Sequence, residues 1–189
     1  MDVIDAIQRR TSVRRFRPDP VARETIERLL DCAVRAPNHK LTEPWRFAVV
    51  TGAAVGRFAD IRARDRLKRY TDPDSAEARA AAEKMRKETA ETPAFVVVMC
   101  AVSADATTRE EDYAAAMMAT ANLMIAAESL GLGTYLKTGG IMTEPELTAI
   151  VDLDHRFRIV GVVSLGYPRD IEAPKRRRPA GELTRWITR

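Results

Sequence analysis

The most continuous apolar stretch of the chain occupies residues 113–130, where alanine, methionine and leucine dominate. These residue types favour helix, and the acidic residues 110–112 directly before them suit a helix N-terminus. Gly131 follows as the expected helix stop. An apolar surface that nearly surrounds a helix predicts burial, either in a large core or at a subunit interface. The stretch is too short and too interrupted to indicate a membrane span.

The rest of the pattern alternates between helices and strands. Helical periodicity predicts helices over residues 2–10, 21–35, 52–66, 76–90 and 143–151. In the last of these, Thr143 is the expected N-cap, with Glu146 three positions on in a capping-box pattern. Apolar runs predict strands over residues 46–51, 93–100 and 157–165, and a short strand with a two-glycine loop over residues 132–140. Because helices and strands interleave, we expect one sheet flanked by helices, in an α+β or α/β protein.

Composition narrows the class of protein. The chain has 189 residues, of which 46% are hydrophobic and 31% charged, as in a soluble globular protein, and this length predicts a single domain over residues 1–189. Two distant cysteines, Cys32 and Cys100, and no apolar leader predict a cytoplasmic protein. With only His39 and His155 in the chain, a histidine-rich metal site is excluded, and no metal is expected.

Positive charge is concentrated in two places. The formal net charge is +4, and local excesses occur at residues 9–17 and 175–178. These are open to three interpretations: solvated surface, a nucleic-acid patch, or a bound phosphate. Thr11 and Ser12 lie inside the first cluster and add hydroxyl groups that can bind an anion. No Gly-x-Gly-x-x-Gly motif or Walker-type loop is present, which argues against nicotinamide binding in a Rossmann fold.

Residues 37–45 form a polar, proline-bounded loop that ends in an aromatic residue, Trp45. Such a loop is suited to framing a ligand site. His39 is a tempting general base, but no neighbouring residue in the sequence supplies an orienting partner. A lone loop histidine is more often a surface or ligand-contact residue.

Four motifs, in this order, resemble the nitroreductase family of FMN-dependent oxidoreductases. They are RRTSVRRF at residues 9–16, APNH at 36–39 leading to EPWRF at 43–47, GLGT at 131–134 with KTG at 137–139, and VGVVSLGYP at 160–168 with its basic tail. Each motif is weak by itself, whereas their order and spacing extend over essentially the whole chain. The short length and the Pro-Asn-His loop resemble the compact members of the family.

The resemblance implies an α+β fold with a mostly antiparallel sheet of four to five strands, flanked by helices, in an intertwined homodimer. It implies FMN bound between the subunits, NADH or NADPH as reductant, and a ping-pong reaction with electron-poor acceptors such as nitroaromatics or quinones. Reductive dehalogenation and oxidative flavin breakdown on the same scaffold remain alternatives, as does, from a different class, a basic nucleic-acid-binding protein. The resemblance implies that the chain binds a second copy of itself and a small molecule, and that it binds neither nucleic acid nor a membrane.

The resemblance also implies cofactor-binding residues, while the chemistry is centred on the flavin and needs no catalytic side chain. Arg10, Lys175 and Arg177 would hold the FMN phosphate, and Thr11, Ser12 and Arg14 would meet the phosphate, the ribityl chain or the flavin edge. Pro37, Asn38 and His39 of the other subunit would line the flavin, and Lys137, Thr138 and Gly139 would run along the isoalloxazine with a backbone N–H near N5. Glu43 stands where relatives often carry an amide; an ionised carboxylate accepts hydrogen bonds but cannot donate them.

Overall fold

A four-stranded antiparallel sheet forms the centre of the computed structural model, which describes residues 1–170 and 173–189. Its strands are β1 (Trp45–Thr51), β2 (Ala94–Ala101), β3 (Gly133–Lys137) and β4 (Phe157–Gly166), in the order β1-β2-β4-β3. The central strands β2 and β4 are buried on both faces, which explains the unbroken apolar run of β2. The expected α+β class with a mostly antiparallel sheet is confirmed.

Helices cover both faces of this sheet. They are α1 (Val3–Arg9), α2 (Arg23–Ala33), α3 (Ala53–Leu67), α4 (Ala76–Ala90), α5 (Ala106–Ser129) and α6 (Pro145–Ile150). Helices α2 and α5 pack with Val96 and Val98 on one face, whereas α3 and α6 pack with Phe95 and Val97 on the other. Helix α4 packs against α3. Among the described residues, none of the helices has the combination of length and apolarity that crossing a membrane requires.

Helix α5 begins earlier than the apolar pattern predicts. Its N-cap is Asp105, whose carboxylate accepts a hydrogen bond from the Thr108 amide at 2.7 Å, so the acidic residues 110–112 lie inside the helix. The helix ends at Ser129, and the predicted stop, Gly131, follows directly after the C-cap Leu130 with a left-handed φ of 74°. One side of α5 is buried in the core, while Tyr113 and Met118 on the other side are each 40% exposed. Within one chain, α5 is therefore only half covered.

The predicted capping box of α6 is wrong. The N-cap position is Glu144 and not Thr143, and the Glu144 side chain makes no capping hydrogen bond with the described residues. Thr143 instead ends a 3-10 turn, residues Gly140–Thr143, and its hydroxyl donates to the Gly140 carbonyl at 3.0 Å. The Pro145 ring is well suited to the first helical position, and this displaces the start of the helix by one residue.

Candidate functional site

A basic cavity of about 450 Å³ lies between the end of α1 and the C-terminal tail. Its lining is Ile7, Gln8, Arg10, Thr11, Ser12, Pro174, Lys175 and Arg177. Three of these side chains carry a positive charge and none carries a negative one. One guanidinium nitrogen of Arg10, Nη1, is buried and has no hydrogen-bond partner in the part of the chain that the structure describes. Since an unpaired buried donor is costly, this nitrogen is an indication that the cavity holds an anion.

The edge of the sheet explains how residues so distant in sequence meet. After α1 the chain lies along β3, where Ser12 forms a bridge with Thr134 and the Val13 amide donates to the Thr134 carbonyl at 2.9 Å. Gly133 makes this close approach possible, because a Cβ there would lie 2.6 Å from a methyl carbon of Val13.

The C-terminal tail is tied to the same N-terminal segment. Phe16 forms a bridge with Pro168, and the Arg169 amide donates to the Arg15 carbonyl at 3.0 Å. The chain leaving β4 therefore lies beside residues 15–17. Further along the tail, Lys175 and Arg177 line the same cavity as Arg10.

The structure thus brings together five of the residues for which a phosphate or ribityl contact was expected: Arg10, Thr11, Ser12, Lys175 and Arg177. Arg14 belongs to the same segment, but its side chain is exposed and lies outside the lining of the cavity. Its expected flavin contact stays a prediction.

The loop over residues 37–43 lies elsewhere in the chain and does not line this cavity. Pro37 is exposed, and the Asn38 side-chain oxygen accepts a hydrogen bond from the Glu43 amide at 2.9 Å. Lys40, Leu41 and Glu43 all have positive φ values, between 43° and 54°, a conformation that is uncommon for residues other than glycine. The loop therefore has a fixed and strained shape, and the Glu43 side chain is exposed.

Two hydrogen bonds attach this loop to α5. The His39 Nδ1 lies 2.7 Å from a carboxylate oxygen of Glu111, and the Thr42 hydroxyl donates to buried Asp112 at 2.7 Å. His39 therefore does have an orienting partner, 72 positions away in sequence. No sequence signal pointed to this contact, because it depends on how α5 packs beside the loop.

Lys137 is the last residue of β3, directly before the exposed residues 138–140. Its amino group contacts the hydroxyl of buried Ser164 and lies 4.6 Å from the centre of the Tyr135 ring. Burial, and then the nearby positive charge of Arg62, lower the pKa of Lys137 to about 7. Thr138 and Gly139, the next two residues, are exposed, and Gly139 has a φ of 106°.

The partly buried position of the Lys137 side chain was not expected from the sequence. Strand alternation carries the relevant signal, since Lys137 and Tyr135 lie two residues apart and therefore on one face of β3. That face is the one covered by α3, which contributes Arg62 and Asp65.

The protein thus has an α+β fold, with an antiparallel sheet and, at the sheet edge, a basic cavity whose charge suits an anionic ligand. The comparison with known families specifies the class further: the Nitroreductase family model matches residues 7–167, and the chain belongs to this family. The expected family is confirmed, and with it the expected class of enzyme, an oxidoreductase.

Individual relatives agree with this assignment. The chain is 29% identical over 175 residues to the putative NAD(P)H nitroreductase YfhC of Bacillus subtilis, covering 93% of this chain and 89% of the relative. It is 31% identical over 182 residues to the 5,6-dimethylbenzimidazole synthase of Rhodospirillum rubrum, covering 89% and 83% respectively. The crystal structure of a nitroreductase-like family protein from Bacillus cereus superposes with a TM-score of 0.83 at 29% identity, covering 100% of this chain and 97% of that one.

Proposed function

We propose that this protein is an FMN-dependent oxidoreductase that passes reducing equivalents from NADH or NADPH to electron-poor small molecules, such as nitroaromatics or quinones. The observation that carries the proposal is the cavity around Arg10. A buried guanidinium nitrogen without a partner, beside Lys175 and Arg177, suits a doubly charged phosphate. FMN has such a phosphate, and when bound it supplies the redox chemistry of the family.

The residues of the chain would bind and orient this cofactor. Arg10, Lys175 and Arg177 would neutralise the phosphate, while Thr11 and Ser12 offer hydroxyl groups at the same cavity. The exposed backbone at Thr138 and Gly139 would lie beside the ring system, because a glycine at positive φ lets a flat ligand approach the main chain. His39 would present its Nε2 outward, since its Nδ1 is already paired with Glu111.

The phosphate assignment is tested by titrating the protein, freed of flavin, with FMN and with riboflavin. A charge-assisted hydrogen bond contributes about 1.5–3 kcal/mol, so Arg10→Ala or Arg177→Ala should weaken FMN binding roughly ten- to a hundred-fold. Riboflavin lacks the phosphate, so it should bind weakly and respond little to either change. Arg176→Ala is the matched control, because Arg176 is a tail arginine outside the cavity lining.

Equal losses of FMN affinity in the Arg176→Ala and Arg177→Ala variants would contradict the assignment. The tail would then be a diffuse basic patch, and its contribution would follow total charge and not position. If the protein binds neither FMN nor riboflavin, and does not oxidise NADH when a quinone is present, the proposed function itself is refuted.

We also propose that the enzyme is a homodimer in which the tail of each subunit packs on its partner. Leu183, Trp186 and Ile187 near the C-terminus are 61–83% exposed, an arrangement that is unfavourable for side chains of this size. Strand β1 is at an edge of the sheet, and beside it lies an apolar groove of about 580 Å³ that includes Val21, Leu30 and Val49. An exposed edge strand needs a cover, and the partner's tail is suited to provide it.

Light scattering of the wild-type protein and of Trp186→Ala tests this assembly, with Arg185→Ala as the control from the same tail. A buried tryptophan at an interface contributes about 2 kcal/mol or more, so Trp186→Ala should weaken dimer formation at least about thirty-fold. A wild-type monomer that still binds FMN tightly would refute the proposed assembly.

A second candidate function is oxidative breakdown of the flavin, and the 31% identity to a 5,6-dimethylbenzimidazole synthase favours it. Reduced FMN would then be a substrate. Incubating the protein with reduced FMN in air, followed by mass spectrometry, separates the two candidates: a benzimidazole product supports breakdown, whereas recovery of intact FMN supports the reductase.

A further inference from the structure

Loop 37–43 is attached to helix α5 by two side-chain contacts. The Thr42 hydroxyl donates to Asp112 at 2.7 Å, and a carboxylate oxygen of Glu111 lies 2.7 Å from His39 Nδ1. Asp112 is only 6% exposed, so the first contact fixes the loop beside the helix. The second contact is more exposed, and it orients the imidazole ring that the fixed loop holds beside Glu111.

The backbone of this loop is strained in keeping its shape. Lys40 and Leu41 are consecutive residues with left-handed φ values of 54° and 53°, where a side chain crowds its own backbone. The Asn38 amide is used inside the loop, since its oxygen accepts from the Glu43 amide at 2.9 Å and its nitrogen donates to the Ala36 carbonyl at 3.4 Å. Strain of this kind persists only where surrounding contacts hold it, and it is typical of ligand sites.

His39 keeps one polar atom free within this fixed loop. In the described part of the chain, its Nδ1 bonds with Glu111 and its Nε2 forms no hydrogen bond. The His39 side chain is 57% exposed, so a ligand can reach Nε2. Of the neighbouring residues expected at the flavin, Pro37 has no polar side-chain atom and the Asn38 amide is occupied by the loop.

The contact with Glu111 determines which ring nitrogen of His39 carries the proton. An ionised carboxylate only accepts hydrogen bonds, so Nδ1 must be the donor. The uncharged imidazole has a single N–H group, and Nε2 is therefore left as an acceptor. A free imidazole side chain in water prefers the opposite form, with the proton on Nε2. Glu111 thus reverses this preference and turns the outer nitrogen from a donor into an acceptor.

We propose that Glu111 is a positioning residue that makes His39 the acceptor for the N3–H group of the flavin. This inference rests on the proposed function, in which loop 37–43 lines the flavin of the partner subunit. The oxidised isoalloxazine ring has one N–H group, at N3, whereas O2, O4, N1 and N5 all accept. An acceptor nitrogen facing this ring therefore has N3–H as its matching group. The ribityl hydroxyls both donate and accept, so they would bind either form of the histidine.

Nitrogen NMR of the flavin-free protein at pH 8.5 tests the position of the proton. The chemical shifts of the ring nitrogens report which nitrogen carries the proton and whether the ring is uncharged. The chain has two histidines, His39 and His155, so His155→Gln assigns the signals. We expect the proton on Nδ1 of His39 in the wild-type protein and mainly on Nε2 in Glu111→Ala. A wild-type His39 with its proton on Nε2 would overturn the proposal.

Titration with FMN and with N3-methyl-FMN, which lacks the N3–H group, tests the contact with the flavin. Glu111→Ala should weaken FMN binding roughly three- to ten-fold, the range of one neutral hydrogen bond. It should change the binding of N3-methyl-FMN by less than about two-fold. Glu110→Ala is the matched control, because Glu110 is an exposed neighbour of the same charge, about 100° away around the helix. This control should change FMN affinity by less than about two-fold.

His39→Phe separates a positioning role from a general structural one. If Glu111 acts through His39, the double variant should bind FMN as His39→Phe alone does. Losses that multiply in the double variant would overturn the proposal, and so would equal losses for FMN and N3-methyl-FMN. If N3-methyl-FMN binds too weakly to measure, the double variant carries the test, and thermal unfolding shows that each variant is folded.

The results also separate this inference from the proposed function. A wild-type protein that binds FMN, together with an unchanged FMN affinity in Glu111→Ala, would overturn the positioning role and leave the flavin site intact. A protein that binds neither FMN nor riboflavin would refute both proposals.

Discussion

Replacement of Lys137 by methionine should stabilise the protein, even though it removes a hydrogen bond. The pKa of Lys137 falls from its ordinary value of 10.5 to about 7 in the folded chain, mainly because the amino group is buried. Between about pH 7 and pH 10.5 the unfolded chain therefore binds more protons at this residue than the folded chain does. By linkage, the free energy of unfolding rises with pH between about 7 and 10.5, by up to about 1.4 kcal/mol per pH unit.

The magnitude follows from this difference in pKa. If the whole pKa difference contributes, Lys137 lowers the free energy of unfolding by about 4–5 kcal/mol at pH 7 and by about 2 kcal/mol at pH 9. The residue as a whole is only half-buried, so solvent reaches part of the side chain, and we expect about half of these values. Lys137→Met should accordingly raise the free energy of unfolding at pH 7 by about 1–2 kcal/mol, after the loss of the Ser164 contact, which contributes about 1 kcal/mol.

Urea unfolding at pH 7, 8 and 9 measures the effect, with the fluorescence of buried Trp45 as the signal. The advantage of the methionine variant should shrink as the pH rises, because the wild-type protein gains stability in this range. All other titrating groups are the same in the two proteins, so their contributions cancel when one free energy of unfolding is subtracted from the other. Two stability curves that run parallel from pH 7 to pH 9 would refute the reasoning, since the amino group would then have an ordinary pKa in the folded state.

Two further predictions concern packing. Gly133→Ala should destabilise the protein by about 1–3 kcal/mol, because its Cβ would clash with Val13. Gly56 lies in helix α3 with open space around it, so Gly56→Ala should instead stabilise the protein by about 0.5–1 kcal/mol. Thermal unfolding checks both, and a harmless Gly133→Ala would contradict the seating of the N-terminal segment on β3. Leu123→Ala should cost about 2–5 kcal/mol in urea unfolding, because Leu123 is fully buried in α5. Exposed Leu41 is the control, and Leu41→Ala should change stability by less than about 0.5 kcal/mol; similar losses in the two variants would contradict the core position of Leu123.

The sheet was largely predictable because its signals are local. The run from Phe95 to Cys100 is apolar at every position, and the strand it forms is buried on both faces. Helix ends were less predictable, since they depend on single hydrogen bonds. The Asp105 side chain starts α5 ahead of the apolar stretch, and Thr143 bonds back to Gly140 and not forward into α6.

The candidate site was likewise predictable only where the signal is local. Residue types in the two basic clusters permitted a phosphate site, but they permitted solvated surface and nucleic-acid binding equally. Only the family resemblance placed Arg10 and Arg177 together, and the structure brings them to one cavity through backbone contacts along β3 and directly after β4. The pairing of His39 with Glu111 and the contact of Lys137 with Ser164 join residues 72 and 27 positions apart. The first contact depends on the packing of α5 and the second on the register of β3 beside β4, and composition encodes neither.

The strand order has a consequence for synthesis on the ribosome. Strand β2 pairs early with β1, but its other neighbour, β4, begins 56 positions after β2 ends. At about 5–20 residues per second, that interval lasts roughly 3–11 s. During it, the most apolar strand of the protein has one open edge, which is a template for pairing with other chains. A nascent chain stalled before Phe157 is therefore the species most exposed to aggregation, and slowing translation over residues 102–156 should lower the soluble yield.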